Sequence, residues 1–401
     1  MAKILFAWEL GGGNGHLAPF YSIARSLLGD GHSLTLAVRD RDRASRLFDG
    51  LNVDILQAPR WPQFGLATVK RPISYAQVLF NVGFGEQETC ETVLRQWRAI
   101  EDGIDPCLII VDHAPGMMFI ARQQRKIVAI GNGFCVPQTG PPIPPFASSH
   151  WFCDVDQSLQ SVFKTEIDVL QTINRVRLGL QLRELNYLGE VFDKTHASFL
   201  TTFAELDHYS DRKDATYRGG LSLDGFQRER IKWPPGVGPR IFAYLKWSRG
   251  LGHLFDAIGQ SGCPSLIVTD GMNIDELTRI ARPHMQFVDQ PLPIQQVAKE
   301  CDFAILNATH GATCSLLLAG KPILQIPLNL EQAITANRTA SLGAAVCADK
   351  DDGLQMVSAL NFLRFDSQYS IAAQTFAASY RTFDTCAAAN QIARELCQIV
   401  D

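Results

Sequence analysis

Short apolar runs bounded by Gly, Pro or Asp recur at 4–8, 33–38, 53–56, 108–111 and 127–130. Between several of them lie stretches whose apolar residues are spaced for one face of a helix, such as 17–28 and 86–101. Alternation of that kind predicts βαβ units and a parallel sheet. The rhythm lapses over 60–85 and again over 133–150. The second gap holds Pro137, Pro141, Pro142, Pro144 and Pro145, which forbid a regular element and make a stiff loop. A last strand of this half is expected at 197–203, followed by a polar, Gly- and Pro-bearing linker within 211–239. Alternation restarts at 241–245 and continues through 265–268, 287–288, 303–306, 322–326 and 344–347. The expected architecture is α/β with two Rossmann-like parallel-sheet domains, 1–215 and 240–375, joined by 216–239. Closing helical segments within 376–401 are expected to cross back to the first domain.

Composition narrows the function without naming it. A chain of 401 residues exceeds one ordinary core, and 46% hydrophobic against 19% charged residues supports two sizeable ones. A net charge of −4 argues against nucleic acid as a partner. The ten cysteines are scattered, none in a Cys-x-x-Cys pair, and most sit in apolar runs as small buried hydrophobes. Neither a metal site nor a disulfide framework is expected. The first residues run straight into a strand, and no apolar run of about 18 residues exists, so the expectation is a cytoplasmic protein without a transmembrane segment. A peripheral membrane contact stays open, although no basic amphipathic stretch supports it.

The richest segment is 307–338. A strand at 303–306 runs into Asn307-Ala308-Thr309-His310-Gly311-Ala312-Thr313, where a helix opens. Unpaired backbone N–H groups and the positive end of a helix dipole then meet at one spot, a ready seat for phosphate. The next strand delivers Glu331 and Gln332 beside it, a carboxylate and an amide suited to gripping hydroxyls. A phosphate seat next to a polyol clamp describes a nucleotide-sugar pocket.

The first strand ends in Glu9-Leu10-Gly11-Gly12-Gly13-Asn14-Gly15-His16, a loop that lets a ligand approach the backbone where a helix begins. It lacks the dinucleotide fingerprint, because His16 stands where the third glycine belongs; no nicotinamide or flavin is expected. His16 is either a locally bonded helix cap or a general base at the carboxyl edge of a sheet. Asp112, just past the 108–111 strand, either caps the following helix, expected over 114–124, or orients His16, and the two roles can coexist.

These residues resemble the GT-B glycosyltransferases, specifically the inverting group of UDP-glycosyltransferases and antibiotic glycosyltransferases, and more distantly the lipid II-forming N-acetylglucosaminyltransferase. The likeness spans nearly the whole chain and is strongest at 11–19 and 302–338. It implies a GT-B fold with two domains facing a central cleft, and no cofactor or metal, since the helix end does what Mg²⁺ does elsewhere. It further implies that His16 is the general base, Asp112 its orienting carboxylate, the amides of Gly311, Ala312 and Thr313 the diphosphate seat, and Glu331 and Gln332 the sugar clamp. The chain departs from the family pattern at Asn307, where the family histidine that touches the diphosphate stands, and at Thr309, in place of a glycine. His310 falls at a variable position. Lys246-Trp247 replaces a Gly-Ser pair, and Lys246 would bring a positive charge to the phosphates. Pro291 stands where an aromatic residue stacks on the base.

The donor implied is a UDP- or dTDP-linked sugar. The long segments 60–85 and 133–151 carry Trp61, Phe64, Tyr75, Phe80, Phe84, Phe134, Phe146 and Trp151, which either line a pocket for a small apolar or aromatic acceptor or pack the loops down. Gly12, Gly13, Asn14, Gly15, Phe84 and Phe134 are the expected acceptor-side positions. Two other functions fit the same architecture: a sugar-nucleotide 2-epimerase, and a non-catalytic nucleotide-sugar binder.

Overall fold

The computed structural model describes residues 1–62, 68–147, 159–213, 215–221, 231–290 and 292–400. The chain divides into two compact units, Met1–Leu221 with Thr385–Asp401, and Ser222–Asp384, where the sequence reading placed 1–215 and 240–375. Phe64, Trp151 and Pro291 lie outside the described residues.

Unit 1 opens with β1 (Lys3–Trp8), α1 (Leu17–Gly29), β2 (Ser33–Val38), α2 (Arg41–Leu47) and β3 (Val53–Gln57). It continues through α3 (Tyr75–Leu79), α4 (Gln87–Ile104), β4 (Leu108–Asp112), α5 (Pro115–Ile120), β5 (Lys126–Gly131), α6 (Leu159–Gly179), α7 (Glu190–Asp193) and β6 (Ala197–Leu200). Its sheet has the order β3-β2-β1-β4-β5-β6, with every pairing parallel. Helices cover both faces, so β4 buries all five of its residues and β1 all but Lys3. In α1 the buried positions Leu17, Phe20, Ile23, Ala24 and Leu27 follow the spacing of one helical face.

Unit 2 comprises β7 (Ile241–Lys246), α8 (Leu251–Ser261), β8 (Ser265–Asp270), α9 (Ile274–Ile280), β9 (Met285–Val288), α10 (Ile294–Glu300) and β10 (Phe303–Leu306). Then follow α11 (His310–Leu318), β11 (Ile323–Gln325), α12 (Leu330–Ser341), β12 (Ala345–Cys347), α13 (Gly353–Phe365) and α14 (Gln368–Ser379). The sheet order is β12-β11-β10-β7-β8-β9, again all parallel. Counted within each unit, both sheets run 3-2-1-4-5-6, the doubly wound order that gathers ligands at the carboxyl ends of its strands.

Helix α14 packs on α11 inside unit 2, whereas α15 (Thr385–Val400) packs on α1 inside unit 1. Ala389, Ile392, Ala393 and Leu396 form the buried stripe of α15. Ser26 Oγ also bonds Asn390 (3.1 Å), and Arg218 donates to Glu395 (2.5 Å). Among the described residues no helix is long and apolar enough to cross a membrane.

Two expectations need correction. The segment 60–85 is not wholly irregular: Ser74 accepts from the Gln77 amide and caps α3, and a π-helical turn, Phe80–Phe84, follows. The helix expected over 114–124 is confined to Pro115–Ile120, and its cap position is Ala114, so Asp112 does not cap it.

Candidate active site

Asp112 is the last residue of β4, in register with Trp8 at the end of β1. That register brings the carboxyl ends of the two central strands together, under the loop that leads into α1. His16 occupies the cap position of α1 but makes no side-chain cap bond. Its ring turns to Asp112 instead, with Nδ1 2.9 Å from Oδ1, and both residues are buried (8% and 5% exposed). A hydrogen bond between such groups fixes the ring orientation and tautomer and stabilises a proton gained on the other ring nitrogen. The ring also stacks between Trp8 (5.2 Å) and His113 (5.9 Å).

Gly11 is required on two counts. Its φ of +83° lies in the left-handed region, and a Cβ there would come within 2.4 Å of His16 Nε2. The remaining loop residues Gly12, Gly13 and Gly15 face open space, while Asn14 receives a hydrogen bond from Arg43 (3.2 Å) and its carbonyl accepts from Ala18 at the helix start.

Residues without an assigned role in the sequence reading complete this corner. Glu9 is 1% exposed, and its carboxylate accepts from the indoles of Trp61 (2.7 Å) and Trp97 (2.9 Å) and from the Gly116 amide (2.7 Å) in the first turn of α5. Burial nevertheless outweighs these donors and raises its pKa to about 7. His113 follows Asp112 with φ +47°, and burial holds its ring neutral, well below the usual histidine range. Cys135 lies on the loop after β5, and its Sγ, a His16 ring nitrogen and an Asp112 oxygen all fall within 4.8 Å of one another.

The aromatic side chains largely pack the loops down. Phe84 has no exposed surface and sits between Trp61 (4.2 Å) and Phe119 (5.6 Å). Phe134 stacks on Phe146 (5.0 Å), edge-on to His113 (5.6 Å), and Tyr75 is fully buried. Phe84 therefore offers no face to a ligand, contrary to its expected place on the acceptor side.

In unit 2 the strand–helix junction after β10 turns at Ala308, whose φ of +53° is uncommon for a residue with a side chain. Thr309 takes the cap position of α11 without a side-chain cap bond. By helix geometry the amides of His310, Gly311 and Ala312 lack an intrahelical acceptor. Thr313 does not join them: its N–H is spent on the Thr309 carbonyl (3.0 Å), it is fully buried, and its hydroxyl accepts from Gln325 (3.2 Å). His310 points back along its own helix, its Nε2 3.5 Å from Cys314 Sγ.

Asn307 is committed to the backbone. Its Oδ1 accepts from the Lys246 amide (2.6 Å) and its Nδ2 donates to the Ile326 carbonyl (2.8 Å), so one side chain ties three strand ends together. Lys246 itself is half-exposed and pairs with Asp270 (3.3 Å), which balances the charge expected to face phosphates. Glu331 and Gln332 lie in the first turn of α12. Asn329 accepts from the Gln332 amide, and the Gln332 side-chain carbonyl accepts from Leu328 (2.8 Å), a reciprocal cap that holds this turn in place.

No family model matches the sequence, and no curated protein does. Solved structures do. The chain is similar to the glycotransferase of kitacinnamycin (TM-score 0.71, 16% identity, 98% of both chains). It is similar to CalG4, the calicheamicin glycosyltransferase (0.69, 17%, 100% of this chain and 98% of that one). It is also similar to the glycosyltransferase VinC, solved in complex with dTDP (0.68, 12%, 99% of both). These likenesses establish the fold, that of the GT-B glycosyltransferases.

Proposed function

We propose that the protein is an inverting glycosyltransferase. It moves a sugar from a nucleotide diphosphate sugar, UDP- or dTDP-linked, to a hydroxyl of a small acceptor, apolar or aromatic in character. The observation that carries this reading is the buried His16–Asp112 hydrogen bond (2.9 Å) at the carboxyl edge of a doubly wound sheet.

The acceptor oxygen attacks the anomeric carbon as the bond to the diphosphate breaks, and its proton passes to Nε2 of His16. Asp112 stabilises the imidazolium through Nδ1–H. The leaving diphosphate is held by the amides of Gly311 and Ala312 at the tip of α11. Glu331 and the amide of Gln332 hold sugar hydroxyls. VinC, with the same fold, was solved with dTDP, which supports a donor of that kind. A second reading, a nucleotide-sugar binder without turnover, is favoured by the commitment of Asn307 to the backbone and of Lys246 to Asp270.

A thermal-shift panel of nucleotide diphosphate sugars identifies the donor, because a ligand of the folded state alone raises the melting temperature. Transfer from that donor is then measured in wild type and His16→Ala. The expected loss is ~10²–10⁴-fold in turnover with the donor-induced shift preserved. Undiminished turnover in His16→Ala would remove the base assignment, and donor binding without turnover in wild type would establish the second reading.

A further inference from the structure

The corner that holds His16 and Asp112 contains a third group that sugar transfer does not use. Cys135 stands on the loop after β5, anchored by its amide to the Asn132 side chain (3.2 Å). It is 5% exposed, and Gly131, at φ +143°, makes room for it: a Cβ at Gly131 would fall 2.7 Å from Cys135 Cβ and 3.2 Å from Asp112 Oδ1. One thiol, one imidazole and one carboxylate thus offer ligand atoms within 4.8 Å of each other, all on buried residues.

We propose that His16, Asp112 and Cys135 form an inhibitory binding site for a zinc-like divalent transition-metal ion. Thiolate with imidazole selects such ions over Mg²⁺ or Ca²⁺. Bond lengths of about 2.0–2.3 Å put two ligands of one tetrahedral ion about 3.3–3.7 Å apart, so closing the cluster requires shifts of about 1 Å. Asp112 and a Cys135 thiolate neutralise the ion's two charges. Three protein ligands leave a fourth position for water. Gly11, whose backbone lies against His16 Nε2, is exposed to solvent.

The proton balance is definite. The thiol proton leaves to solvent, and the imidazole proton held between Nδ1 and Oδ1 moves to Nε2 as the metal takes Nδ1. With Nε2 protonated the ring can no longer accept a proton. Inhibition of transfer rests on the transferase reading; the binding itself does not.

The full chain, freed of metal by a chelator, is titrated with Co²⁺ and followed by absorbance. The expected result is a thiolate-to-cobalt charge-transfer band that saturates at about one ion per chain and is displaced by Zn²⁺. Cys135→Ser should abolish the band and weaken Zn²⁺ binding more than ~100-fold, and His16→Gln should weaken Co²⁺ binding tenfold or more. Cys397→Ser, which removes the thiol 3.6 Å from His32 Nε2 and 3.4 Å from Asp30, should leave the band intact. Absence of the band in wild type, its survival in Cys135→Ser, or its loss in Cys397→Ser would overturn the proposal. Should Cys135→Ser fail to fold, the His16→Gln arm decides: unchanged Co²⁺ affinity there overturns it equally.

Discussion

Gly11→Ala tests whether the placement of the His16 ring matters, without touching either partner of the hydrogen bond. The new methyl group would lie 2.4 Å from Nε2, where ordinary contact begins at 3.4 Å, so the ring must retreat by about 1 Å. Nε2 is pressed toward the Nδ1 side of the ring, so a shift of that size crowds and misaligns the 2.9 Å bond to Asp112. Losing a buried bond to a charged group costs about 1.5–3 kcal/mol. The left-handed φ of +83° adds about 1–2 kcal/mol for any residue with a Cβ. The expected total is about 2.5–5 kcal/mol. The decisive assay is a double-mutant cycle with His16→Ala, read by thermal melting. With the imidazole gone the methyl group loses its three nearest neighbours, so Gly11→Ala should cost mainly the backbone strain, leaving a coupling energy of about 2 kcal/mol. Turnover should fall ~10²-fold in Gly11→Ala, since a displacement of about 1 Å is enough to lose that much. Purely additive costs, or undiminished turnover in the single variant, would refute the claim that Gly11 holds the ring in place.

Glu9 makes stability pH-dependent: its pKa is about 7 folded against 4.5 for the free side chain, so the stabilisation is complete below pH 4.5 and is lost as pH rises to 7. That loss is about 3 kcal/mol, and the difference between wild type and Glu9→Gln across this window should show it; matching profiles would contradict the assignment. Asn307→Ala leaves the Lys246 amide and the Ile326 carbonyl without their partner and should lower stability by about 2–4 kcal/mol, whereas a loss under 0.5 kcal/mol would mean water replaces the tie. Glu331→Ala should weaken binding of the sugar nucleotide ~10–100-fold more than binding of the free nucleotide, measured by calorimetry; equal losses would remove Glu331 from the sugar clamp.

Hydropathy located the strands well because each is an apolar run between breakers, and β2 and β10 match it residue for residue. At the carboxyl edge the strands expected at 197–203 and 322–326 stop short, at Leu200 and Gln325, whereas five strands run on through a polar or small residue: Gln57, Asp112, Gly131, Lys246 and Asp270. The backbone ladder continues there while the apolar signal has stopped, and those residues are the ones that face ligands in such folds. Helix α6 escaped the pattern because its faces are mixed. Thr165, Glu166, Thr172 and Arg177 are buried, while Leu159, Phe163, Ile167 and Leu178 are exposed. His16 and Asp112 were legible as strand-end residues. The role of Glu9 was not, because its three partners lie 52, 88 and 107 positions away. Cys135 was discounted as a small hydrophobe, and only the turn at Gly131 reveals what it faces.

The two units solve one junction in two ways. In unit 1 the fourth strand ends at Asp112, in unit 2 Asn307 directly follows it, and each of these short polar residues precedes one in the left-handed region, His113 at +47° or Ala308 at +53°. A left-handed turn there costs about 1–2 kcal/mol without glycine and persists only where its surroundings enforce it. Asn307 supplies that enforcement in unit 2 by bonding the neighbouring strands at β7 and β11, and its side chain is consumed in doing so. In unit 1 the corresponding tie runs through the backbone, from the Leu10 amide to the His113 carbonyl (2.9 Å). That main-chain bond releases the Asp112 carboxylate for His16. A carboxylate at such a junction is free to orient a histidine only where the strand end is secured by other means, and the chain meets that condition in one sheet and not in the other.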